Sequence, residues 1–227
     1  HGEITPMRYG GNYKSYGPQY PRGIQEGNGI PADGDLWVSY SVNKEDMWIS
    51  RIPVPVEINA SAHADDDFSN NKSIAELTDW NIYSPVWAPV SLEGQWLKLQ
   101  DKDPFDYAKV ERKIPASKEL KVSFDLKAGQ NDKGTLQIEF LDENGIACSR
   151  MELTDDGIFR MKGGSRFANM MKYEAGKVYH VEAVLSTADR NIQVYVDGKR
   201  VGLRMFYAPV AAVERIVFRT GVPRTFP

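Results

Sequence analysis

Apolar and polar residues alternate in short runs along most of this chain, with a period of two. Val122, Phe124 and Leu126 are interleaved with Lys121, Ser123 and Asp125, and Val181, Ala183 and Leu185 keep the same rhythm. Successive side chains of a strand point to opposite faces, so such runs bury one face and wet the other, as in an antiparallel sheet. From Asp79 onward the strand signals recur at short intervals: 80–83, 95–99, 108–114, 120–126, 136–141, 148–153, 157–161, 178–185, 192–196, 200–206 and 214–219. Turn chemistry separates them. Asp142-Glu143-Asn144-Gly145, Asp155-Asp156-Gly157 and Val196-Asp197-Gly198-Lys199 supply the Asp, Asn and Gly that tight turns require. No long segment repeats its apolar residues at helical spacing, which argues against an α/β fold. The pattern predicts an all-β chain whose larger part is an antiparallel β-sandwich.

The first part of the chain reads differently. Residues 1–34 are rich in Gly, Pro, Tyr and Asn and predict loop with short strands. Strands follow at 36–42 and 46–52, joined by a hairpin turn over Val42-Asn43-Lys44-Glu45. Pro53 and Pro55 then interrupt the ladder, because proline has no N–H to donate. Residues 57–78 are small, acidic and polar and predict a linker with one helical turn at 73–77. The expected division is a hairpin segment at 1–56, a linker at 57–78 and the sandwich at 79–227.

Composition narrows the possibilities. A chain of 227 residues, 41% of them hydrophobic, can build one large β domain or a medium domain with a smaller piece. The net charge of −3 is spread in both signs, with no basic stripe for nucleic acid. No apolar run approaches the ~18 residues that a membrane-spanning helix needs. Cys148 is the only cysteine, so there is neither an intrachain disulfide nor a cysteine zinc site. It follows Ile146-Ala147 on an alternating strand and is expected to be buried and inert. The chain opens on His1-Gly2-Glu3 and closes on Arg224-Thr225-Phe226-Pro227, and both ends are expected to be cut from a longer chain.

Two segments carry a resemblance. Ala175-Gly176-Lys177-Val178-Tyr179-His180-Val181, followed by Asn191-Ile192-Gln193-Val194-Tyr195-Val196-Asp197-Gly198-Lys199, resembles a strand pair of concanavalin-like and laminin-G-like sandwich domains. The segment Gly34-Asp35-Leu36-Trp37-Val38-Ser39-Tyr40, with Asp46-Met47-Trp48-Ile49-Ser50-Arg51-Ile52-Pro53, resembles the last blade of a sialidase-like (BNR-repeat) β-propeller. Such propellers occur in polysaccharide-degrading proteins of gut Bacteroidetes, often followed by a lectin-like sandwich. The usual Asp-box is absent, and residues 1–56 can supply about one blade of the several a propeller needs. The resemblance implies a secreted, periplasmic or cell-surface protein with an oligosaccharide or polysaccharide as partner. It requires no cofactor. A truncated blade would also leave strand edges able to pair copies into an oligomer.

Three groups of residues are candidates for chemistry. Tyr20-Pro21-Arg22-Gly23-Ile24-Gln25-Glu26-Gly27-Asn28-Gly29 reads as a loop that gathers a guanidinium and a carboxylate. Arg22 could clamp a sugar carboxylate and Glu26 could act as acid or base. The competing reading is a structural Arg–Glu pair. Tyr83, Trp87 and Trp96, with Trp80, offer rings on which sugars stack, although strand aromatics are more often core. Trp87, between Pro85 and Pro89, is the ring expected to be exposed. Asp101, Asp103 and Asp106 could hold a structural Ca²⁺, or simply form turns. Asp65-Asp66-Asp67 reads as solvated linker without calcium-loop spacing, His180 as a satisfied sheet histidine, and Gly163-Gly164-Ser165 as a plain loop.

The residues leave three functional readings open. One is an accessory, glycan-binding sandwich. Another is part of a glycoside hydrolase or polysaccharide lyase whose site lies partly in residues 20–29, inactive as this chain alone. The third is a sandwich that only packs.

Overall fold

The computed structural model describes residues 18–24, 35–42, 44, 46–53, 64–102 and 107–221. Three strands come first: β1 (Pro18–Ile24), β2 (Asp35–Val42) and β3 (Asp46–Pro53), an antiparallel sheet in the order β1-β2-β3. β2 and β3 form the expected hairpin, with Val42 opposite Asp46 and Leu36 opposite Ile52. β1 corrects the sequence reading, because Tyr20 to Ile24 are strand rather than loop. Pro18, Pro21 and Gly23 disguise it. Proline is tolerated on an edge strand, and the register slips between Gln19 and Arg22, with Tyr20 at φ 53°.

The sandwich strands are β4 (Trp80–Tyr83), β5 (Val90–Glu93), β6 (Trp96–Leu99), β7 (Lys109–Ser117), β8 (Glu119–Lys127), β9 (Leu136–Leu141) and β10 (Ala147–Leu153). β11 (Ile158–Gly163), β12 (Arg166–Lys172), β13 (Val178–Ser186), β14 (Asn191–Val196), β15 (Lys199–Met205) and β16 (Val213–Thr220) complete it. A seven-stranded sheet runs β12-β11-β10-β9-β16-β7-β4, a four-stranded sheet runs β15-β14-β13-β8, and β5-β6 form a separate ribbon. The ladders are antiparallel. The fold is therefore the all-β sandwich that the alternation predicts.

Period-two burial places the core between the two large sheets. Ile138 and Phe140 on β9, Met151 on β10 and Met161 on β11 pack with Val181, Ala183 and Leu185 on β13 and Ile192 and Val194 on β14, all at 0% exposure. Each of these side chains except Ala183 contributes about 1.5–3 kcal/mol on burial. The sequence-derived strands hold throughout the sandwich, and two were missed. β5 is four residues after Pro89, and β12 is an edge strand whose pairing slips opposite Phe159 and Arg160, so neither alternates long enough to signal itself. The Asp197-Gly198 turn is as expected: φ is 50° and 77° at the two residues, and Val196 faces Lys199 across it.

The segment expected to be a linker behaves differently in its described part. The helical turn is present as a 3-10 helix at Ile74–Glu76. Around it, Phe68 lies 5.7 Å from the Trp80 ring, and Leu77 joins Ile82, Ala88, Val90 and Val110 in a second apolar cluster. Arg112, 6% exposed, reaches Asp66 through Nε at 2.9 Å and Asp79 through Nη2 at 3.3 Å. This stretch covers the inner side of β7 and β4. Its large apolar residues, Phe68, Ile74 and Leu77, are too few among polar ones to announce that in sequence.

Candidate functional site

The structure scatters the residues singled out from sequence. Arg22 is exposed on β1, where its carbonyl accepts a hydrogen bond from Ser39 Oγ at 3.4 Å. Glu26 lies outside the described residues, as do Asp103 and Asp106. Asp101 is fastened instead: its Oδ2 accepts a hydrogen bond from Thr220 Oγ1 at 2.9 Å, and that oxygen accepts one from the Ala108 N–H at 2.8 Å. Among the described residues no group of three His, Cys, Asp or Glu could hold a metal ion. Asp67 accepts from the Ser69 N–H at 2.9 Å and from its hydroxyl at 2.8 Å, which holds the Asp67 carboxyl below its usual range. With Asp66 on Arg112, the acidic stretch is a turn and an ion pair.

The aromatic residues separate as well. Trp80 is core, packed between Phe68 and Phe218. Trp87 is 59% exposed, and its carbonyl accepts from the Lys102 N–H at 2.8 Å. Trp96 is half-buried opposite Glu93 at the other end of the β5-β6 ribbon, on the order of 15 Å away along the strands, so the two do not form one platform. Tyr83 stacks 5.2 Å from Tyr107 on the outer side of β4. His180 is exposed on β13, with Nδ1 2.8 Å from Asp125 Oδ1 on β8. Among the described residues no serine or cysteine hydrogen-bonds to it, so the pair is not part of a nucleophile triad. Cys148 is fully buried, which pushes its thiol up to about 12.

The outer face of the seven-stranded sheet gathers what sequence reasoning did not. Ile138 and Phe140 point into the core, so Gln137 and Glu139 point out. Across that face Lys109, Arg219, Gln137, Glu152 and Arg160 follow one another in register on β7, β16, β9, β10 and β11. Two residues along each strand, Glu111, Val217, Glu139 and Arg150 form the next row, and Lys162 continues it on β11. Ion pairs run within the rows, Arg150 to Glu139 at 2.6 Å and Arg160 to Glu152 at 2.7 Å, and between them, Lys109 to Glu111 at 2.9 Å. Arg219 lies 3.8 Å over the Tyr107 ring and Lys162 4.4 Å over the Tyr207 ring.

Several polar atoms here are buried without a hydrogen-bond partner. They are both amide atoms of Gln137, Nε of Arg219 and the hydroxyl of Tyr207. Gln137 is 1% exposed. Burial pushes the Tyr207 hydroxyl up to about 12, against the pull of the Arg150 guanidinium. An unpaired buried amide or guanidinium N–H costs about 1–3 kcal/mol, so native sheets rarely carry several side by side. These atoms are closed to solvent, and the charged groups around them are held in ion pairs or over tyrosine rings. The residues of this face were passed over because a polar residue alternating with apolar ones reads as a wet face. Gln137 is indistinguishable from a surface glutamine until its burial is known.

Comparison with known proteins follows from this geometry. The family model described as "Sialidase-like, CBM domain" matches residues 80–227, the stretch from β4 onward. A solved structure named sialidase is 92% identical with a TM-score of 0.80, over 99% of this chain and 21% of its own, so this chain spans about a fifth of that one. The apo Crh5 transglycosylase matches 68% of this chain and 66% of its own at 11% identity and TM-score 0.53, which shows a shared fold. No curated protein sequence matches.

Proposed function

Since this chain belongs to the family of sialidase-like CBM domains, we propose that it is the glycan-binding accessory part of a sialidase-like, glycan-processing protein that works outside the cytoplasm. The family match over 80–227 carries the reading. It is supported by the sandwich itself. The β1-β2-β3 sheet fits the last blade of a propeller in such a protein. In that setting a neighbouring blade would cover the exposed Met47 and Ile49. No helix of the described residues is long and apolar enough to cross a membrane.

Titration calorimetry of the 227-residue chain against neutral and acidic oligosaccharides tests the reading. Saccharide binding is expected, and no heat with any of them at millimolar concentration sinks it. A second reading rests on the 92% identity with a sialidase, which extends over the hairpin sheet as well. There Arg22 would belong to the catalytic part of the parent protein. Unchanged turnover of the parent after Arg22→Ala removes that reading.

A further inference from the structure

We propose that the outer face of the four-stranded sheet, centred on Tyr195 and Arg200, is the saccharide-binding surface, and that its ligand carries a carboxylate. The proposal rests on the glycan-binding reading above. Val181, Ala183 and Leu185 on β13 and Ile192 and Val194 on β14 point into the core, so Glu182, Val184, Gln193 and Tyr195 point outward. Two rows cross the sheet there. Glu182, Tyr195 and Arg200 are in register on β13, β14 and β15, and Val184, Gln193 and Leu203 form the row beside them. These groups are open to solvent: Tyr195, Gln193 and Glu182 are half-buried, and Arg200 is exposed. The Tyr195 hydroxyl donates to Gln193 Oε1 at 3.1 Å, two residues back on the same strand. That bond lays the ring along β14 rather than letting it stand off the sheet, with one face toward solvent. A flat ring of this kind stacks on the C–H face of a pyranose. Leu203 and Met205, 45% and 57% exposed, extend the apolar surface along β15, where a plain wet face would carry polar side chains. The Gln193 amide N–H groups have no partner among the described residues and can donate to sugar hydroxyls. Charge selects the ligand. Glu182 is held by Lys121 and Asp125 by His180, each at 2.8 Å, and Asp197 Oδ1 accepts from the His180 N–H at 3.0 Å. Arg200 has no carboxylate partner among the described residues. An unpaired guanidinium beside a stacking ring suits a sugar carboxylate, which it can bind through two parallel N–H donors.

The test uses the full chain and two probes, a sialyl and a galacturonosyl trisaccharide, each as the free acid and as its methyl ester. Calorimetry is expected to show binding of at least one acid, weakened about tenfold or more in its ester, the loss of one charge-assisted hydrogen bond. Arg200→Met and Tyr195→Ala are each expected to weaken acid binding by about the same factor. Thermal unfolding separates ligand contact from folding. Arg200 is exposed, so Arg200→Met is expected to keep its Tm while binding falls, and it carries the test if Tyr195→Ala does not fold. Phe167→Ala removes a part-exposed ring from β12, in the other sheet, and is expected to leave binding unchanged. NMR reports the contact directly: the Gln193 side-chain amide signals should shift on titration. Equal binding of acid and ester overturns the proposal, as does unchanged binding in Arg200→Met. Binding that Trp87→Ala abolishes and the Tyr195 and Arg200 variants leave intact also overturns it. In each of these cases saccharide still binds, and the accessory-module reading stands. Absence of all saccharide binding removes both.

Discussion

Cys148 lies in the core between the two sheets, whereas Gln137 is buried on the outer face of the seven-stranded sheet. Burial lifts the Cys148 thiol from its ordinary 9.0 to about 12. The unfolded chain therefore gives up that proton first, and stability that is intact below about pH 9 falls as the pH climbs toward 12. The urea midpoint is expected to drop over that range, and Cys148→Ser to flatten part of the drop. At neutral pH a thiol reagent should modify Cys148 only as fast as the chain unfolds, so complete labelling of the native protein within seconds contradicts this burial. The inertness of Cys148 was legible in sequence, because a cysteine on an alternating apolar strand has one plausible place to be. Gln137 was not legible. Its neighbours in space, Arg219 and Glu152, come from strands 82 and 15 residues away in sequence, and nothing local records that they meet.

At the scale of elements, sequence reading succeeded where a strand alternates for six residues or more and ends in a marked turn. β8, β13 and β14 meet both conditions, and Asp197-Gly198 closes the last of them. It failed where prolines or slipped pairing broke the rhythm, as in β1, β5 and β12, and where packing depends on a few scattered residues. The segment before β4 is the plainest instance. Arg112 holds it through Asp66 and Asp79, and charge-assisted bonds of this kind are worth about 1.5–3 kcal/mol each. Arg112→Leu is expected to destabilise the protein by a few kcal/mol or less and to expose residues 64–78 to protease, read by mass spectrometry of the first fragments. If cleavage there is no faster than in the parent, the anchor is not Arg112. In the main core, Phe140→Ala should cost about 3–5 kcal/mol by chemical denaturation, since Phe140 is fully buried between the sheets.

For the molecule as a whole, the two apolar clusters among the described residues are drawn from residues 68–218, and none of their members comes from the β1-β2-β3 sheet. Local stability follows buried apolar contact. Amide hydrogens of β9, β13 and β14 should therefore exchange slowest, and those of β1 to β3 faster by orders of magnitude, as measured by mass spectrometry. Equal protection of the two regions would show that the small sheet shares the global unfolding step. One feature of the topology bears on how the protein is made. β16 is inserted between β9 and β7, in the interior of the seven-stranded sheet, yet it follows every other strand of the sandwich along the chain. A ribosome adding about 5–20 residues per second presents β7 and β9 for several seconds before their shared neighbour exists. Throughout that interval the nascent sheet carries two facing, unfilled edges, and whatever shields newborn chains from one another must hold them apart until the last strand arrives.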